Sequence, residues 1–341
     1  MAFRISTFDV SASGRAGSAY ILESETARAE VWPTHGFNCL RWQTRLADGS
    51  WGDLLYTMPD WETNPVPTRS GHPVLFPFPN RMAGASFDFA GTRYDLPKTE
   101  STGKHAIHGF TPRAAWRVVG AMANDVSAAV TGEFRISVDA PSPWPADATL
   151  RLTYTLLADR LRVDSHVSAA DGKTLPFGLG YHGYFRLPTA GAGTNHYFVE
   201  AAAHRAWELQ GGLPTRQRPP VRTDTDFRAG RTLGTAQLDH LFGSVGSYRN
   251  EANGLCEVAR LSAPPALGRL SFWTSAEFRE LLLFTPAHRN AVAVEPYTCA
   301  TDAMNFAGVD GGWLVLPPGA AHTATVEYRW DATFRAEVPA V

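Results

Sequence analysis

Glycine and proline interrupt this chain so often, 30 and 24 times in 341 residues, that few stretches are long enough for an extended helix. Proline removes a backbone donor and fixes φ, and glycine weakens a helix through chain entropy, so such punctuation favours short strands joined by turns. Alternation points the same way. In Leu150-Arg151-Leu152-Thr153-Tyr154-Thr155-Leu156, and again in Leu161-Arg162-Val163-Asp164, apolar side chains recur at every second residue. This period predicts adjacent antiparallel strands with Ala158-Asp159-Arg160 in the turn. Phe87 to Tyr94 reads as an aromatic-rich hairpin turning at Ala90-Gly91. Ala276 to Phe284, AEFRELLLF, fits a short helix or a buried strand equally well, and Pro286 ends either one.

The composition is 44% hydrophobic and 19% charged, as in soluble globular proteins able to bury a large core. No fixed-period repeat or low-complexity tract divides the chain. The proline-rich run from Pro59 to Pro79 and the small-residue stretch Thr189 to Gly193 read as loops, because structured-looking sequence continues on both sides. All-β architectures can carry a chain of this length as one unit, so a single domain over 1–341 is expected.

Net charge is −2 and the cationic residues are scattered, without the basic stripe that phosphate backbones require; a nucleic-acid partner is not expected. The first residues lack an apolar run of signal-peptide length, and nothing approaches the roughly 20 apolar residues that span a bilayer. The expectation is a soluble, cytoplasmic protein without a membrane partner. Cys39, Cys256 and Cys299 show no C-x-x-C spacing and read as reduced thiols. Only Lys98, Lys104 and Lys173 could form a Schiff base, which disfavours that chemistry.

Several motifs fail on context. Gly178-x-Gly180-x-x-Gly183 matches the dinucleotide-binding pattern in spelling, but no strand-then-helix pattern surrounds it. His105 and His108 have a spacing that serves metals on a helix, yet Gly109-Phe110-Thr111-Pro112 makes a poor helix. Neither G-x-S-x-G nor the P-loop pattern occurs, nor H-x-H followed by glutamate. No metal and no cofactor is expected.

What remains is a set of ionisable residues inside apolar, proline-bounded segments, where burial costs several kcal/mol unless partners compensate. His182 lies in Gly180-Tyr181-His182-Gly183-Tyr184-Phe185, whose small and aromatic neighbours suit a sugar-stacking wall. A satisfied core histidine is the plainer reading of it. Glu295 ends the apolar run Ala291 to Val294 and precedes Pro296, which biases its backbone toward an extended conformation. A surface or turn carboxylate is the plainer reading there.

Five segments in order resemble the aldose 1-epimerase (galactose mutarotase) family: Gly71 to Arg81 (GHPVLFPFPNR), His105 to Phe110 (HAIHGF), Tyr181 to Phe185 (YHGYF), Gln237 to Phe242 (QLDHLF) and Val294 to Tyr297 (VEPY). The resemblance covers roughly Val31 to Trp330. The resemblance implies an all-β fold, a large twisted antiparallel β-sandwich with few short helices and a sugar cleft on a concave face. It implies His182 as the general acid that protonates the ring oxygen and Glu295 as the general base that takes the anomeric hydroxyl proton. Arg81, His108 and Asp239, with Asn80 beside them, would hold the sugar hydroxyls, while His72 and His240 read as structural neighbours. The chemistry is coherent: a hemiacetal opens when O1 loses a proton as O5 gains one, and rotation followed by closure gives the other anomer. It calls for Glu295 ionised and His182 protonated, each helped by the other's charge.

The family commonly has proline after that histidine, whereas Gly183 follows His182 here. The substrate is expected to be a free monosaccharide such as glucose or galactose. A hexose 6-phosphate is an alternative, for which Arg69, Arg113 and Arg186 are available. A non-catalytic sugar-binding or sensor protein, or a carbohydrate lyase or hydrolase using Tyr184 or Tyr297, also stays open, as does the choice between monomer and homodimer.

Overall fold

The computed structural model describes residues 2–10, 17–141, 143–170 and 172–335, and strands dominate them. The alternating stretches form the hairpin Ala148–Leu156 and Arg160–Ala169, in antiparallel register with Leu156 opposite Leu161 and Tyr154 opposite Val163. Leu150, Leu152, Tyr154 and Leu156 are fully buried while Arg151 is exposed, so one face of the hairpin is core. Around it grows a ten-stranded antiparallel sheet. It runs from Arg117–Ala123 through this hairpin, Ala321–Asp331, Arg269–Thr274 and Cys256–Ser262 to Phe198–Ala201 and Arg231–Thr232.

A second, seven-stranded antiparallel sheet has the order Ala203–Ala206, Asp239–Val245, Glu280–Phe284, Val292–Tyr297, Gly180–Tyr181, Val74–Leu75, with Gly183–Phe185 also paired to Val292–Tyr297. One large apolar cluster joins the two sheets, taking Leu150, Leu152 and Val163 from the first and Leu281, Leu283, Val292 and Val294 from the second. His72 sits within it. Its Nδ1 lies 3.0 Å from Tyr154 Oη and its Nε2 2.6 Å from Tyr328 Oη, with the ring stacked on Tyr181. Burial lowers its pKa to about 3, so the ring is neutral and uses one nitrogen as donor and the other as acceptor, a structural histidine as the sequence suggested.

The ambiguous stretch resolves as a strand over Glu280–Phe284 only, and both of its neighbours are strands of the same sheet. Phe87 to Tyr94 is a hairpin, Ser86–Phe89 with Thr92–Asp95, in which Ala90 (φ 50°) and Gly91 (φ 79°) take the left-handed conformations of a two-residue turn. Among the described residues the one α-helix is the four-residue Ile136–Asp139, and no helix is long and apolar enough to cross a membrane. Cys39 and Cys299 are buried free thiols and Cys256 a half-buried one. Gly180 and Gly183 lie on strands, with no helix following them.

Candidate active site

The register of the second sheet sets two distant residues side by side. Gly180 pairs with Tyr297 and Gly183 with Val294, and between these pairs His182 faces Glu295 across the ladder. Directly opposed residues share a face of a sheet. Here that face is the one turned away from the inter-sheet core, and Leu282, opposite Glu295 on the next strand, extends it. His182 Nδ1 lies 3.4 Å from Glu295 Oε1. Both residues are buried, 7% and 1% exposed.

Period two brings further groups to the same face. Tyr184, two residues after His182, stacks on its ring at 4.7 Å and places its hydroxyl 3.4 Å from Nε2. Tyr297, two residues after Glu295, donates its hydroxyl proton to Glu295 Oε2 in a short hydrogen bond. Asp239 and Phe284, opposite one another on neighbouring strands, continue the row outward.

Loops supply the other wall. Asn80 (φ 55°) and His108 (φ 64°) both take left-handed backbone conformations that non-glycine residues seldom adopt, and the His108 N–H donates to the Asn80 carbonyl at 2.8 Å. Gly109 lets this turn touch the Phe76 strand end, where a Cβ would stand 2.2 Å from the Phe76 carbonyl oxygen. The His108 ring meets the His182 ring edge-on at 5.3 Å. Arg81 donates through Nε to Glu100 and through Nη1 to Asn80 Oδ1 at 3.3 Å.

Asn80, Arg81, His108, His182, Asp239 and Glu295 thus line one cavity of about 650 Å³, within the usual size range of small-molecule sites. Of the two other histidines near the motifs, His105 accepts a hydrogen bond from the Gly84 N–H, and His240 lies on the neighbouring strand with its ring stacked on Phe242. Glu100 is an addition that no motif announced. Tyr184 and Tyr297 lie inside the motifs, and their i, i+2 spacing from the central pair is the signal for the contacts they make with it. The Glu100 carboxyl feels burial most, yet hydrogen bonds from Thr102 and Arg81 outweigh it and hold its pKa below the ordinary value.

Electrostatics correct one expectation. Burial lowers the His182 pKa to about 3 and raises that of Glu295 well above the carboxylate range, against a weaker lowering by Tyr297. Desolvation, not mutual attraction of ions, therefore sets the resting state: both groups are neutral, and the transferable proton sits on the carboxyl. The neutral pair and the ion pair hold the same number of protons and differ only in which partner carries one. Among the described residues His182 Nδ1, Glu295 Oε1 and His108 Nδ1 are buried without a hydrogen-bond partner, three polar atoms lining the same cavity whose desolvation a polyhydroxylated ligand would offset. With Tyr184, Leu282 and Phe284 beside them, the wall offers polar atoms and apolar faces together, as a sugar does.

Gly183 is explained by packing. A Cβ there would stand 2.5 Å from the buried Phe185 ring and 2.9 Å from the His72 ring, so aromatic core fills the space a side chain would need.

Residues 18–329 match the family described as Aldose 1-epimerase. The uncharacterized protein YihR of Escherichia coli (strain K12) is 25% identical over 251 residues, 73% of this chain and 75% of that protein. A galactose mutarotase-like protein from Clostridium acetobutylicum superposes with a TM-score of 0.84 at 19% identity, over 97% of this chain and 99% of that one. Galactose 1-epimerase from Lactobacillus acidophilus superposes with a TM-score of 0.73 at 16% identity, again over 97% and 99%. At such identities the structural likeness is one of fold.

Proposed function

The chain belongs to the aldose 1-epimerase family, and from that premise we propose that it interconverts the α and β anomers of a free aldose, glucose and galactose being the first candidates, by acid–base opening of the ring. The observation that carries this is the 3.4 Å approach of His182 to Glu295 at the wall of the cavity. O1 and O5 of a pyranose are both bonded to C1, so the groups that exchange protons with them must be near neighbours, as these are. A bound sugar that hydrogen-bonds both partners stabilises the ion-pair arrangement, with Glu295 ready to take the O1 proton and His182 ready to protonate O5. In the open form the C1–C2 bond turns, and reverse transfers close the other anomer.

Arg81, held by Glu100 and Asn80, offers donors to hydroxyl oxygens, and Asp239, lining the same cavity, offers acceptors. His108 and Asn80 complete the hydroxyl-binding side. Proton transfer of this kind requires neither metal nor organic cofactor. We take 1–341 as a single domain, a reading supported by the apolar cluster that reaches from Phe3 to Trp330.

Polarimetry with freshly dissolved α-glucose and α-galactose tests the reaction. Wild-type protein should speed equilibration well beyond the buffer rate, and His182→Ala and Glu295→Gln should each lose about 10²-fold or more. Equal rates with and without wild-type protein across a broad panel of aldoses would replace this reading with sugar binding alone.

A further inference from the structure

Tyr297 lines the cavity, yet it is fully buried and closes the strand Val292–Tyr297. It packs in an apolar cluster with Leu75, Trp207, Leu241, Leu282 and Ala300. Gly180, its partner on the opposing strand, leaves room for the ring, since a Cβ there would stand 2.5 Å from Tyr297 Cδ1. Packing thus fixes where the phenol hydroxyl lies, and it lies at Glu295, donating its proton to Oε2.

The two oxygens of the Glu295 carboxyl are thereby made unequal. Oε2 is engaged by Tyr297, whereas Oε1 is buried without a hydrogen-bond partner among the described residues and lies 3.4 Å from His182 Nδ1. A hydrogen bond donated to one carboxylate oxygen favours the ionised form and leaves the other oxygen as the freer proton acceptor. Burial first, and the adjacent carboxyl second, hold Tyr297 well above the ordinary phenol range. It therefore stays a donor and does not serve as a base.

We propose that Tyr297 is a positioning residue for the anomeric proton transfer, holding Oε2 so that Oε1 takes and returns the O1 proton. The inference rests on the anomerase reading and deepens it by one atom and one residue that acts through Glu295. The O1–H bond breaks and Oε1–H forms, C1–O5 opens to leave a carbonyl at C1, and O5 takes its proton from His182. Tyr297 keeps its own proton throughout. Around the pair stand His182 and Tyr184 on the paired strand, Glu280 and Asp239 on the strands beyond, and His108 and Arg81 on the loops. Glu280, opposite Tyr297, accepts a hydrogen bond from Trp207 Nε1 at 2.6 Å, and burial pushes its pKa up to about 7.

Tyr297→Phe keeps the ring and removes the donor, and NMR exchange between glucose anomers above the buffer rate reads the effect. With one hydrogen bond to the carboxylate lost, kcat should fall about tenfold while KM stays within about twofold. The alkaline limb of kcat/KM, where the pair loses its last proton, should move up by about one pH unit, because the ionised carboxyl has lost a donor. Any inflection from Glu280 should stay in place. A 3-fluorotyrosine at position 297, a stronger donor of nearly the same shape, should move the limb down, and it decides the matter if the Phe variant folds poorly. An unchanged kcat in Tyr297→Phe, a loss carried by KM, or a limb that moves in neither variant would overturn the positioning role while wild-type turnover upholds the anomerase reading. If wild-type protein turns over no aldose, both fall together.

Discussion

At the residue scale the deciding feature is that burial opposes the charges the proposed reaction needs. His182 is pushed down to about 3 and Glu295 well above its ordinary 4.5, so the free protein keeps one transferable proton in the pair over a wide pH range. The sign is clear: below about pH 3 the imidazole takes a second proton, and the pair loses its last one only well above the usual carboxylate value. Because kcat/KM reports the free protein, it should hold its neutral-pH value down to about pH 4.5 and fall only as pH nears 3. Initial rates after rapid pH jumps measure this, and a fall centred between 4.5 and 6.5, the ordinary glutamate and histidine values, would contradict it. His182 and Glu295 stood out in the sequence because ionisable residues occupied places where packing alone would have chosen apolar ones, whereas Asn80, Arg81, His108 and Asp239 entered only through the family resemblance. Their protonation was not legible, since desolvation depends on what the fold stacks around them. Glu100 escaped notice for a similar reason, as its partner Arg81 is brought to it by tertiary contact.

At the scale of elements, what could be read depended on whether a strand has one buried face or two. The Ala148–Leu156 hairpin strand, half exposed, showed its period-two pattern openly. Val292–Tyr297 is buried on both faces: Val292 and Val294 point into the inter-sheet core, and Ala293 and Glu295 point to the cavity side. Its run VAVEPY therefore shows no alternation, and Glu280–Phe284 beside it is concealed likewise. The left-handed turns at Asn80 and His108 were hidden for another reason, because neither is glycine. The short strand Gly183–Phe185 carries a prediction of its own. Gly183→Ala drives a Cβ against the Phe185 and His72 rings, both fully buried, and should destabilise the protein by about 1–3 kcal/mol in urea denaturation. A midpoint equal to that of wild type would show that the aromatic core yields there and that glycine is not required by packing.

At the scale of the whole molecule, antiparallel pairing between Gly183–Phe185 and Val292–Tyr297 is what turns two remote side chains into neighbours. The all-β class and the sandwich were legible in glycine and proline spacing and in the ordered family segments. The pairing of the two central residues was not, because nothing local in the chain states which strands lie side by side. The central claim is that this pair acts as one device, Glu295 taking the O1 proton and His182 protonating O5. Anomer exchange of glucose, measured by NMR at equilibrium for wild type, His182→Ala, Glu295→Gln and the double variant, tests it most directly. Each single variant should lose about 10²-fold or more, and the double variant should lose no more than the worse single one. Losses that multiply in the double variant, or a Glu295→Gln protein that exchanges anomers at the wild-type rate, would contradict the account.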